Sequence, residues 1–346
     1  MRFFRINKLT VLSVSHAAVD FCCAALFFGM ERGENAWLCM VFYNVCAFLM
    51  QLPLGFLADR LNRNLPFASV GCLLVAAACF LRFHPLLAVI VAGLGNGAFH
   101  VGGGVEVLND SGEKAGPLGM FVSPGAIGLY LGRVYAGFFA AHGWLLPLLM
   151  LLCGVGMTLI GFLETRCVSE NADFSLALPK HGLPLLLLLF LVVVLRSFMG
   201  TTAAFSTGTL LDPLHPVLAG LIPVLCLAGG KAAGGFVSDR FGPIPTSIGS
   251  LGLCALLLFF PLHPALALVA LFLFNMSMPI TLFGSARLLK GAKGGAFGLL
   301  TAALFLGTVP LFLGFSLPAL PWLHGGFAVV SLVLLVIGLK EPRWNT

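Results

Sequence analysis

The sequence predicts an all-α membrane protein whose twelve transmembrane helices form two pseudo-symmetric six-helix bundles. Three observations carry that expectation. Hydrophobic residues make up 59% of the 346-residue chain and charged residues 9%, against roughly 45–50% and 25% in soluble domains. Apolar runs long enough to cross about 30 Å of hydrocarbon recur from one end to the other. The two halves also echo each other at a constant offset of 180 residues, the mark of a duplicated unit. Backbone groups cannot stay unpaired in lipid, so helices rather than open strands must fill these runs.

The runs fall at 9–30, 36–57, 66–82, 86–108, 117–140 and 144–164, then at 183–205, 216–237, 244–261, 264–287, 295–316 and 321–340. Met1 to Lys8 is a basic head on the apolar body Leu9 to Met30. That body is too long for a signal-peptide core and no A-x-A-like cleavage site follows it, so it is expected to remain as the first span. Loops are short, such as Arg82-Phe-His84-Pro85 and Pro261-Leu-His-Pro264. The longer polar connection carries Arg166, Glu170, Asn171, Asp173 and Lys180 and lies midway. It divides the chain into a six-helix bundle at 1–165, a cytoplasmic linker at 166–181 and a second bundle at 182–346.

The net charge of +6 is explained by where the charges sit. With the amino terminus inside, fourteen of nineteen basic residues, among them Arg2, Arg5, Arg60, Arg63, Arg166, Arg240 and Arg343, fall at cytoplasmic ends. Only Arg32 and Arg82 fall in outer loops. This is the positive-inside pattern of a multi-pass protein of the inner (plasma) membrane with both termini cytoplasmic. No nucleic-acid partner is expected. The ten cysteines lie almost all within apolar runs without a C-x-x-C pair and read as small buried hydrophobes. His84, His142, His215, His263 and His324 fall at or near outer helix ends, and no tight spacing joins them into a metal site. Gly102-Gly103-Gly104 lacks the preceding strand and the remainder of a nucleotide motif. Neither a nucleophile–base pair nor a cofactor motif is present, so the expected protein is not an enzyme.

The internal echo is clearest in Gly55-x-x-x-Asp59-Arg60-x-Asn62-Arg63 and Gly235-x-x-x-Asp239-Arg240-x-Gly242, each where an apolar run ends. Asn62 and Gly242 stand where a chain leaving a helix favours a left-handed residue. The two stretches resemble the cytoplasmic signature loop of the major facilitator superfamily, found after the second helix of each half. Asn62 replaces the usual glycine, Asn64 replaces a basic residue, and the second copy breaks off at Pro243. Through the repeat, the resemblance spans the whole chain. It implies the major facilitator fold, alternating access by rocking of the halves, and a working monomer. It also implies that Gly55, Asp59, Arg60, Arg63, Gly235, Asp239 and Arg240 latch the halves on the cytoplasmic side.

Ionisable groups at mid-membrane cost roughly 2.5–3.5 kcal/mol each on insertion scales, so they mark function. His16 and Asp20 are four apart and share one helix face. At 1.5 Å per residue, Asp20 lies about 16 Å from Leu9, near the midplane. It reads either as a proton-coupling carboxylate or as half of a structural ion pair. His16 is either its titrating partner or an ordinary hydrogen-bonded helix histidine. The H-x-x-x-D spacing resembles that of the fosmidomycin-resistance branch of efflux facilitators.

The offset carries His16 onto Arg196 and Gln51 onto Lys231. In the resembled fold, such positions face each other across a central cavity. Arginine offers a planar fork that suits carboxylate, phosphate or phosphonate. Organophosphate antiporters of that superfamily use a basic pair on helices one and seven; this chain has histidine on the first. His100, Asn96 and Asn275 are further candidates for the cavity wall, and Arg133 is a weaker one. Lys231 is a substrate ligand or a neutralising partner for Asp20. Glu106 is placed near the inner surface as a solvated end residue.

The sequence thus predicts a proton-coupled secondary transporter of a small organic anion, surrounded by membrane lipid, without metal or cofactor. Thirty-two phenylalanines keep a multidrug antiporter for lipophilic or cationic compounds as the alternative. A lipid scramblase or membrane enzyme on the same frame is a reading from another class.

Overall fold

A computed structural model describes residues 8–163, 174–261, 263–315, 317–318, 320 and 321–340. Arg2, Arg5, Arg166 and Arg343 lie outside the described residues, as does the part of the expected linker at 166–173.

Among the described residues, nine helices are long and apolar enough to cross a membrane by length and composition. The first span is Lys8–Gly29, the second Gly33–Leu61 and the fourth Pro85–Asp110. The sixth is Leu145–Leu163. The seventh is Gly182–Gly200, the eighth Pro216–Phe241, the tenth Ala265–Leu288, the eleventh Lys293–Phe312 and the twelfth Pro321–Gly338. Two shorter apolar helices, Asn64–Phe80 and Pro243–Phe259, are the third and ninth spans. The fifth runs over 116–141 in three pieces, Gly116–Val122, Pro124–Val134 and Ala136–Ala141. This is the predicted all-helical, twelve-span architecture in two six-helix bundles.

The pattern of contacts explains why the bundles hold. The first span packs on the fifth, the third on the fourth and sixth, and the twelfth on the seventh and ninth. The halves meet where the second span lies along the eleventh and the fifth along the eighth. One apolar core runs through the first bundle and reaches Leu282, Phe297 and Leu300 of the second; another lies wholly within the second.

Helix ends and breaks show where local chemistry overrode the apolar pattern. The second span was expected to stop at 57 but continues to Leu61, and Asn62 ends it at φ 48°. Gly242 ends the eighth at φ 92°, so both repeat copies turn on positive φ as their residues foretold. The seventh span stops at Gly200 rather than 205, because Thr201 and Thr202 hydroxyls donate back to Phe198 O and Met199 O at 2.7 and 2.8 Å. The fifth and tenth spans, expected to be continuous, break at Ser123 and at Met276. Pro124, which has no N–H and crowds the carbonyl four residues back, explains the first break. At the second, Ser277 Oγ donates to Phe274 O at 2.8 Å.

Candidate functional site

Three spans bring a compact polar cluster together in the first bundle. His16 Nε2 lies 3.2 Å from Asp20 Oδ2 on the same helix. From the fourth span, His100 Nε2 reaches to 2.8 Å of His16 Nε2 and 3.6 Å of Asp20 Oδ1. Asn96, one turn before His100, donates to Asp20 Oδ1 at 2.9 Å. His16 Nδ1 is 2.7 Å from Phe121 O and His100 Nδ1 is 2.8 Å from Asn96 O. A carbonyl only accepts, so both Nδ1 atoms carry hydrogen. In neutral imidazoles both Nε2 atoms would then present lone pairs to each other. A proton or a metal ion between them would turn that 2.8 Å approach into an attraction. Gly125 makes room, since a Cβ there would strike His16 Nε2 and Asp20 Oδ2.

In the second bundle Arg196, Lys231 and Asn275 line one cavity of about 630 Å³. Arg196 is only 8% exposed, and its Nη1 has no hydrogen-bond partner among the described residues. The remaining wall is mixed: Ser197, Thr202 and Ser206 are polar, while Phe205, Phe274 and Leu304 are apolar. The cavity occupies the part of the eighth span before Lys231, away from the Asp239 end.

The fifth span joins cluster and cavity. Just upstream of the Ser123–Pro124 break, Phe121 O receives His16 Nδ1–H, while Val122 O faces Lys231 Nζ at 3.5 Å. Ser123 Oγ donates to Ala228 O at 2.6 Å. His16 of the first span and Lys231 of the eighth thus meet consecutive carbonyls beside one helix break. The backbone carbonyls of Phe121 and Val122 have no side-chain signature; Pro124 was the only hint of them.

The two repeat loops hold the bundles together at one end. The Asp59 carboxylate accepts from Gly294 N and Gly295 N, both at 2.8 Å, at the start of the eleventh span. The Asp239 carboxylate accepts from Ala115 N and Gly116 N, at 2.7 and 2.9 Å, at the start of the fifth. Free N–H groups and the dipole at a helix start make it a natural seat for a carboxylate. Gly55 and Gly235 permit these seats: a Cβ on Gly55 would collide with Gly294 O, and one on Gly235 with Ala115 O. Arg60, Arg63 and Arg240 are exposed, and Arg60 lies over the Phe174 ring at 5.1 Å. The opposite end has ties of its own, Trp37 Nε1 to Phe312 O and Tyr130 Oη to Val217 O at 3.1 and 2.7 Å.

Other candidates fall elsewhere. Arg133 is exposed over the Phe28 ring at 5.3 Å and does not line the Arg196 cavity. Its separation leaves two deep cations, Arg196 and Lys231, against Asp20. Glu106 is not a solvated end residue: it pairs with Lys8 at 2.7 Å and receives Asn64 Nδ2 at 3.3 Å, while Lys8 also pairs with Asp110. His324 is not interfacial but buried, at 3% exposure in the twelfth span. His84, His142, His215 and His263 are exposed at helix ends, where the sequence placed them.

No protein-family profile and no curated protein matches the sequence. Solved structures do match, over nearly the full length of both chains. The Escherichia coli fucose:proton symporter FucP superposes with a TM-score of 0.67 at 13% identity, over 97% of this chain and 99% of that one. The fold is that of the major facilitator transporters. A bacterial homologue of the iron transporter ferroportin, in an outward-facing state, gives 0.64 at 16% identity, covering 96% and 98%. The human organic anion transporter MFSD10 gives 0.61 at 16%, covering 94% and 98%. Within the major facilitator fold, the Asp59 and Asp239 seats join the two bundles, and the polar cluster lies inside the first bundle, midway along its first span.

Proposed function

We propose that this protein is a proton-coupled secondary transporter that moves a small organic anion by alternating access. The observation that carries the reading is Arg196: a buried guanidinium with an unpartnered Nη1, lining a cavity with Lys231 and Asn275. An unpaired buried donor carries a desolvation penalty that an anionic ligand relieves. In this reading the bundles 1–165 and 182–346 rock about the linker 166–181 in the inner membrane, and the protein works as a monomer. The Asp59 and Asp239 seats are engaged when the cytoplasmic end is shut. Asp20, His16 and His100 hold the proton as an ion shared by two imidazoles beside a carboxylate. The first span's H-x-x-x-D supports placing the chain near the fosmidomycin-resistance branch.

The test is uptake or efflux in proteoliposomes with a panel of organic anions and cations, with and without an imposed proton gradient. Anions should move and should respond to the gradient. Asp20→Asn should keep or strengthen anion binding, since the cavity wall is untouched and one nearby negative charge is gone, yet lose the response to the gradient. Gradient-driven transport by that variant equal to wild type would remove Asp20 from coupling. The apolar share of the wall, Phe205, Phe274 and Leu304, favours a second reading as an antiporter of lipophilic or cationic compounds. Saturable binding of cations alone in the same panel would support that reading against the anion.

A further inference from the structure

We propose that His16, Asp20 and His100 form a binding site for one divalent transition-metal ion, taken up in place of the shared proton. One donor atom from each residue falls within a sphere where all lie within 4.8 Å of one another. The separations are close to those of ligands on a single ion. Two donors each about 2.1 Å from a metal stand about 3.0 Å apart at right angles and about 3.4 Å apart in a tetrahedron. The observed separations are 2.8 Å between the two Nε2 atoms, 3.2 Å from His16 to Asp20 Oδ2 and 3.6 Å from His100 to Asp20 Oδ1, so either carboxylate oxygen stands at ligand distance from one ring.

The surroundings hold all three donors in place. Metal-binding histidines usually give their second ring N–H to a carbonyl or carboxylate, which fixes the tautomer and aims the free lone pair. His16 does so to Phe121 O and His100 to Asn96 O. Asn96 Nδ2 steadies the Asp20 carboxylate.

The donor set also selects the ion. Two imidazoles and one carboxylate suit zinc, iron(II), cobalt(II) or nickel, whereas magnesium and calcium prefer all-oxygen shells. Three protein ligands leave a position open for exchange, as in catalytic rather than closed structural zinc sites. The charged and titratable groups facing the cluster are Lys231 of the eighth span, Cys23 of the first and Tyr43 of the second. Asp20 offsets the one cation among them. The spacing of the sequence could not reveal the site, because His100 arrives from 84 residues beyond His16.

The inference stands apart from the anion reading, since binding can be measured without substrate or gradient. Untagged full-length protein in detergent is titrated with cobalt(II) chloride, followed by visible absorbance and calorimetry. One ion per chain should bind with half-saturation below about 100 µM. Excess zinc should displace it and excess magnesium should not. His100→Gln and Asp20→Asn should each weaken binding at least about tenfold, while His142→Gln, at an exposed helix end, should bind as wild type. Absence of saturable cobalt binding up to about 1 mM by the wild type would overturn the proposal whatever the variants do. Unchanged binding in both folded variants would overturn it as well.

Discussion

Arg196→Ala is expected to weaken binding of the proposed anionic substrate at least about 30-fold while leaving the protein as heat-stable as wild type, or more so. Truncating one partner of a buried, hydrogen-bonded charge pair costs about 2–5 kcal/mol of binding. Arg196 has no ion-pair partner within the described residues, and its Nη1 lacks even a hydrogen bond. Removing it therefore breaks no native pair and relieves an uncompensated buried cation. A residue retained for packing would behave the opposite way, with stability falling and affinity unchanged. Arg196→Lys keeps the charge but not the planar fork and should recover only part of the affinity. Thermal melts and ligand titrations on one preparation read both quantities. A large drop in melting temperature with intact anion affinity would reassign Arg196 to the scaffold.

Replacing both Asp59 and Asp239 by asparagine should turn a population closed at that end into one that is mostly open there. Each carboxylate takes two backbone N–H bonds from the opposite bundle. Hydrogen bonds to charged groups are worth about 1.5–3 kcal/mol each, and asparagine keeps an oxygen acceptor but loses the charge and its attraction to the helix start. Counting one charged bond lost per carboxylate, and less for the exposed Asp239, the double change should remove about 3–5 kcal/mol, and bringing a two-state balance from 99:1 to even takes about half of the roughly 5.5 kcal/mol needed to reach 1:99. Either single variant should shift the balance only part of the way. Distances between spin labels placed on the exposed ends of the second and eleventh spans report the populations. Wild-type distance distributions in the double variant would mean that the apolar seams alone hold the closed end.

Much of this architecture is legible from residue types because the membrane leaves so few solutions. Apolar length fixed most spans to within a residue or two, and Asn62 and Gly242 marked true helix ends. His16 and Asp20 could be paired from a four-residue spacing, since neighbours on one helix need no tertiary information. Their partner His100 was picked out by depth alone, and its contact with His16 needed the fold. Arg133 was the weaker candidate because it lies toward the outer end of the fifth span, where a long side chain can reach outward, and the structure has it exposed over the Phe28 ring. Glu106 and His324, by contrast, were misplaced. A position near a helix end says nothing about which neighbour covers it, and Lys8 covers Glu106. The Phe121 and Val122 carbonyls are common to every residue type, so no pattern in the letters could have named them.

Those two carbonyls belong to consecutive residues, yet they are moored to opposite halves of the molecule, one to the first span and one to the eighth. In the proposed transport cycle, cargo and driving ion therefore need no extended relay to sense each other. The two carbonyls sit on adjacent peptide planes hinged at the Val122 Cα, so the path between the two moorings is one residue long.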